Sequence, residues 1–175
     1  MAIAQLFHWV QETGWATFIR ESGLTYPVIM SLHLSSIAMF GGMILMTNLR
    51  LLGLAMTDTP AEEVIRQLRP WKAAGLAIMV TCGFLLAASK ADTYYPNPWF
   101  RIKMALLGLT ILHAISFRKT VYRSSEPMRS RGRARLAAGI SLILWLGILS
   151  MGRWIAYYEA PKAPMADAGL QARPR

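Results

Sequence analysis

Twenty-eight consecutive positions, 22 to 49, carry no charged side chain. Crossing the hydrocarbon core of a bilayer takes roughly 20 apolar residues. This one run therefore narrows the fold class before any other feature is read. It also contains His33. An imidazole in such a span is costly unless it faces the protein interior, where it commonly has a function. The rest of the chain repeats the pattern of apolar runs separated by charged connectors. Charged residues make up 16% of the chain, against about 25% in soluble domains. The mean hydropathy is +0.34. The expectation is an all-α, single-domain integral membrane protein spanning residues 1–158.

The net charge of +10 invites a nucleic-acid reading. The basic residues sit mostly in short connectors beside apolar runs, so anionic lipid headgroups and topology account for them. The lone cysteine, Cys82, permits neither a disulfide framework nor a cysteine-based metal site within one chain. The start lacks a basic segment and a small-residue cleavage signal, so no removable signal peptide is expected.

Ile3, Leu6, Phe7 and Val10 recur at helical spacing, with Gln5, Gln11 and Glu12 opposite. With Trp9, Trp15 and Phe18, this predicts an amphipathic helix over 2–20 lying in the membrane interface. His8 there is either an exposed interfacial residue or a ligand folded over the bundle. Four spans follow, at about 25–52, 71–89, 99–117 and 136–157. Pro27 suits the first turn of the first span. Thr59-Pro60 followed by Glu62 and Glu63 predicts a short helix ending before Pro70. Gly41-Gly42 and the Gly83/Ala87 pair suit close helix approach. The tail 159–175 has three prolines and no periodicity, and is expected to be disordered.

The connector 118–135 carries seven Lys/Arg against Glu126 alone. The first connector is basic too, through Arg50, Arg66, Arg69 and Lys72. The positive-inside rule places both on the cytoplasmic side. Both termini then lie outside, in the periplasm if the host is a Gram-negative bacterium. The predicted architecture is an antiparallel four-helix transmembrane bundle.

His33 and His113, on two different spans, suggest a b-type haem held between helices. Depth argues against that pairing. His33 lies six residues past Pro27, about 9 Å into the core, whereas His113 lies fourteen past Trp99, about 21 Å. Lys103, four residues past Trp99, is about 6 Å deep and matches His33. The outer half therefore gathers His33, Lys103, Arg101, Tyr26 and Met151. Lys103 and Arg101 suit carboxylates such as haem propionates or an anionic substrate. Snorkelling of Lys103 and a structural hydrogen bond for His33 stay open alternatives. His113 is read as structural, with Thr110 and Ser116 nearby.

The pattern Ser22…Tyr26-Pro27…His33…Gly41-Gly42…Leu49-Arg50-Leu51-Leu52-Gly53, with Arg69-Pro70-Trp71 and Asn97-Pro98-x-Phe100-Arg101-x-Lys103, resembles an uncharacterised family of bacterial four-helix membrane proteins. The likeness covers roughly residues 15–158. In that family an acid often stands where this chain has Asn48, and an asparagine where it has His113. His33 and Lys103 are left as the matching pair. More distantly, the His on the first span and the Lys opening the third are similar to the small membrane-bound protoporphyrinogen oxidases. A copper-resistance membrane protein family is laid out similarly. The former resemblance implies haem or porphyrin binding through a His and a Lys.

The functional expectation is haem b or porphyrin binding in the outer half of the bundle, for electron transfer or redox chemistry. His33 would be the iron ligand, with Lys103 and Arg101 on propionates. An alternative is a cofactor-free accessory subunit of a larger membrane complex; a third is a copper or small-solute permeation protein. Expected partners are membrane lipids and a redox partner or larger complex, with no nucleic acid. The expected location is the bacterial inner membrane. The sequence assigns no reaction, so whether the protein is an enzyme is left open.

Overall fold

A computed structural model describes the backbone of residues 2–123 and 127–158, and side chains within 3–116 and 132–158. The described residues form seven helices and no strand: α1 Ala2–Gln11, α2 Gly14–Glu21, α3 Thr25–Leu52, α4 Ala61–Ser89, α5 Ala91–Tyr94, α6 Pro98–Arg123 and α7 Pro127–Ile155. Helices α3, α4, α6 and α7 are each long and apolar enough to cross a membrane, as a multi-pass membrane protein requires.

Helix boundaries differ from the sequence reading at four places, one being α6, which runs on to Arg123 rather than ending near 117. The N-terminal segment is two helices, broken at Glu12-Thr13, where Thr13 Oγ1 donates to the Val10 carbonyl at 2.7 Å. The short helix expected before Pro70 and the second span are one continuous helix, α4, with Pro70 inside it. Proline removes one intrahelical donor and normally costs about 3 kcal/mol. Here Arg66, four residues back, is exposed, so the freed carbonyl can reach solvent. The same stretch is held by Glu63, which accepts from Arg66 and from Gln67 Nε2, and by the buried Val64. Finally, α7 starts at Pro127 rather than near 136. The side chains of the basic connector up to 131, and the tail 159–175, lie outside the described residues.

Local chemistry sets the ends of α3. Ser22 Oγ accepts the Thr25 N–H at 3.1 Å, satisfying a donor that the first turn leaves open. At the other end Gly53 adopts φ +79°. The Gly53 N–H reaches the Arg50 carbonyl at 3.1 Å and the Leu54 N–H the Leu49 carbonyl at 2.9 Å. This is the Schellman closure, which favours glycine because a Cβ is disfavoured there.

Side-chain contacts give the register of the long helices. Between α3 and α4, Thr47 meets Lys72, Met39 and Phe40 meet Gly75, and His33 meets Gly83. Between α3 and α7, Asn48 meets Ser141 and Gly41 meets Trp145. Between α6 and α7, Trp99 meets Trp154, Lys103 meets Gly152 and Leu106 meets Gly147. Each pair runs antiparallel. Helix α3 thus lies between α4 and α7, while α6 packs on the α7 flank. A glycine sits at every seam, which lets the backbones approach. The core is narrow: Met79, Cys82 and Leu86 on α4, Leu144 and Ile148 on α7, and Ser36 on α3. The outward faces carry exposed Phe84, Ile111, Leu112, Ile143 and Leu146. Beside the N-terminal end of α3, α1 packs against α5 and α4, and α2 against α4 and α3.

Candidate functional site

The antiparallel register sorts the polar side chains into two levels. The lower one holds Thr47, Asn48, Lys72, Ser141 and His113. Asn48 Nδ2 donates to Ser141 Oγ at 3.1 Å, and Lys72 Nζ donates to Thr47 Oγ1 at 3.1 Å. His113 Nε2 lies 3.0 Å from the Ala137 carbonyl, tying α6 to α7. The lower level is therefore internally bonded.

The upper level differs. The His33 imidazole turns inward onto α4, where Gly83 leaves room for it: a Cβ on Gly83 would stand 2.9 Å from His33 Cε1. His33 Nδ1 is buried and has no hydrogen-bond partner among the described residues. The Met79 carbonyl lies beside the ring. Buried polar atoms are almost always bonded, so this nitrogen stands out from the bonded polar groups of the lower level. Lys103 comes from α6. Its Nζ rests against α7, 3.7 Å from where a Gly152 Cβ would be, and close enough to His33 for its charge to act on the ring. Among the described residues no carboxylate pairs with Lys103. The two groups that the depth count matched do share one level. His113, ten residues further along α6 than Lys103, stands about 15 Å lower.

The other expected site residues fall around this pair. Tyr26, two turns above His33 on α3, lies under Lys90, whose Nζ is 4.4 Å from the ring centroid. Arg101 turns away: its Nε donates to the Tyr95 carbonyl at 3.2 Å and its guanidinium stacks over the Tyr95 ring at 5.4 Å. Met151, half-buried on α7, directly precedes Gly152. His8 lies outside the long helices, where its Nδ1 pairs with Asp92 at 2.9 Å. Among the described residues no group of three His, Cys, Asp or Glu side chains is placed to hold a metal ion.

Four residues near the site went unread in the sequence. Gly83 was taken only as a small residue, though the ring it admits stands opposite it. Lys90 shows in the sequence only as a cation at the end of an apolar run. Tyr94 belongs to the turn that roofs the upper level; burial first, and then the neighbouring Tyr26, push its pKa up to about 12. Asn97 is almost fully buried, at 1% exposure. Its Oδ1 caps α6 by accepting from the Trp99 and Phe100 N–H groups, at 3.0 and 3.4 Å. Its Nδ2 donates to the Ile155 carbonyl of α7 at 3.4 Å. The legible signal was Asn-Pro, a cap residue followed by proline at the first helical position.

The chain belongs to a family of unknown function, DUF6644, whose pattern matches residues 6–158. No curated protein matches it. No solved structure matches it either.

Proposed function

We propose that this protein is an integral membrane four-helix bundle of the bacterial inner membrane. Its outer half would bind haem b or a related porphyrin for electron transfer or redox chemistry. The observation that carries the reading is the upper level itself. An imidazole with an unbonded buried nitrogen and an acid-free ammonium, from α3 and α6, meet at one depth inside apolar helices. Neutral imidazole is a good iron ligand, and an ammonium pairs with carboxylates. The residues present fit the group: His33 supplies the donor nitrogen and Lys103 the counter-charge for a propionate. A bound haem would supply one-electron chemistry. The chain holds the His33 ring against Gly83, keeps Lys103 at its level and lines the surroundings with apolar side chains. Arg101, bonded to Tyr95, contributes less to this site than its spacing implies. Both termini would face the periplasm, and a membrane-bound redox partner would exchange electrons.

The test is the visible spectrum of protein purified in mild detergent. A Soret band with reducible α and β bands, abolished in His33→Ala with helicity intact, is the expected result. A colourless protein, neither coloured as isolated nor after addition of haemin, would overturn the reading.

A second reading, an accessory subunit of a larger membrane complex, draws on α6. No residue in its most apolar window is buried, whereas 11 to 33% of the corresponding windows of the other three is. Co-purification of a stable partner with colourless protein would favour it.

A further inference from the structure

Two turns above the His33 level, the outer mouth carries a second cation without an acid. On α3, Tyr26 stands seven residues before His33. On α4, Lys90 stands seven residues after Gly83. Both steps move about 10 Å toward the outer end, so the Lys90–Tyr26 contact is stacked directly over the His33–Gly83 contact. The Tyr26 and Tyr94 phenols are neighbours close enough to influence each other. Tyr94 in turn stacks flat on Phe100 of α6, with centroids 5.3 Å apart and planes at 10°. Phe100 lies three residues before Lys103, on the same side of α6. One roof thus runs from the end of α4 across α3 and α5 to α6, two turns above the level of His33 and Lys103.

The charges in this roof are unbalanced. Among the described residues Lys90 has no carboxylate partner. The acid nearest in sequence, Asp92, is occupied by His8 and Gln11 on the opposite side. The ring face of Tyr26 attracts the ammonium without neutralising it. A half-buried ammonium over one phenol, with a second phenol next to it, is a donor set for an anion: one charge, with a hydroxyl donor alongside.

We propose that Lys90, with the Tyr26–Tyr94 hydroxyl pair, is a carboxylate-recognition subsite of the same ligand. It would hold an acid group about two helical turns above the part that His33 contacts. The ligand class that follows is amphipathic, with a broad apolar body and acidic arms at one edge. The inference rests on the porphyrin reading and goes beyond it, because it names which residues hold the acidic edge. Lys90 replaces Arg101 in that role, since Arg101 is committed to the Tyr95 carbonyl.

The experiment is a spectral titration of detergent-purified full-length protein with haemin and with its dimethyl ester, whose carboxylates are masked. Wild type, Lys90→Gln, Lys90→Arg and Tyr94→Phe are compared, with circular dichroism to verify folding. A charge-assisted contact is worth about 1.5–3 kcal/mol, so Lys90→Gln should weaken haemin about 10-fold or more. Lys90→Arg should restore most of the affinity. The ester should bind wild type and Lys90→Gln alike. Equal haemin affinity in wild type and Lys90→Gln, with the His33-dependent Soret band intact, overturns this inference and leaves the porphyrin reading standing. So does a loss on Lys90→Gln of the same size for haemin and ester. No Soret band in wild type overturns both.

Discussion

Gly41 and Gly42 are adjacent and identical, yet the structure assigns them opposite roles. A Cβ added at Gly41 would lie 2.8 Å from Trp145 Cζ2 and Nε1 and 3.0 Å from Cε2. A Cβ added at Gly42 would meet nothing within 4 Å. Ordinary van der Waals contact begins near 3.4 Å, so Gly41→Ala overlaps a rigid indole by about 0.6 Å or more. The indole cannot simply retreat, because Phe40 packs edge-on against it, with centroids 5.5 Å apart and planes at 72°. Overpacking of this kind costs about 1–3 kcal/mol. Replacing a mid-helix glycine by alanine returns about 0.5–1 kcal/mol. Gly41→Ala should therefore lose about 1–2 kcal/mol, while Gly42→Ala should gain about 0.5–1 kcal/mol, since only the helix term remains. The assay is reversible unfolding in mixed micelles followed by circular dichroism. Trp145→Leu should relieve much of the Gly41→Ala loss in the double variant, a positive coupling of the kind neighbouring sites show. Equal destabilisation at both glycines, or none at Gly41, would refute the α3–α7 packing described here.

Three further outcomes follow from the outer end. Asn97→Ala removes the α6 cap and its donor to Ile155, so the same unfolding assay should show a loss of about 1–2 kcal/mol. Asn97→Asp, which keeps the cap acceptor, should lose less. His8 has its pKa raised, first by the hydrogen bond to Asp92 and then by that carboxylate's charge. Its contribution is full below the ordinary value of about 6.5 and fades as pH rises through the higher folded value. The protection of the α1 amides, corrected for the intrinsic rise of exchange with pH, should therefore fall from pH 6 to 8, and Asp92→Asn should abolish that fall. Tyr94, pushed up to about 12 chiefly by burial and then by Tyr26, stays neutral in the fold after an unfolded tyrosine would have ionised. Stability should be intact below pH 10 and fall as pH climbs toward 12. Melts of Tyr94→Phe should show a shallower alkaline decline.

Much of the architecture was written in periodicity and charge. Uncharged runs marked α3 and the apolar parts of α4, α6 and α7, because spanning length and the cost of charge in hydrocarbon are local properties of a segment. Counting depth from Pro27 and Trp99 also put Lys103 level with His33 and His113 lower, since a helix converts residue number directly into distance. Other features depended on what stands across a seam. Pro70 reads as a breaker until α4 is seen to run straight through it, past an exposed Arg66. Gly41 and Gly42 are indistinguishable until Trp145 faces only one of them. Arg101 and Lys90 carry the same charge near the same interface, but Arg101 turns onto the Tyr95 carbonyl while Lys90 turns over Tyr26. The inward tilt of His33 onto Gly83, and the nitrogen it leaves unbonded, exist only because α4 presents a glycine to α3 at that level. Segment identity and depth belong to the chain taken one helix at a time; direction, partner and vacancy of a donor belong to the contacts between helices.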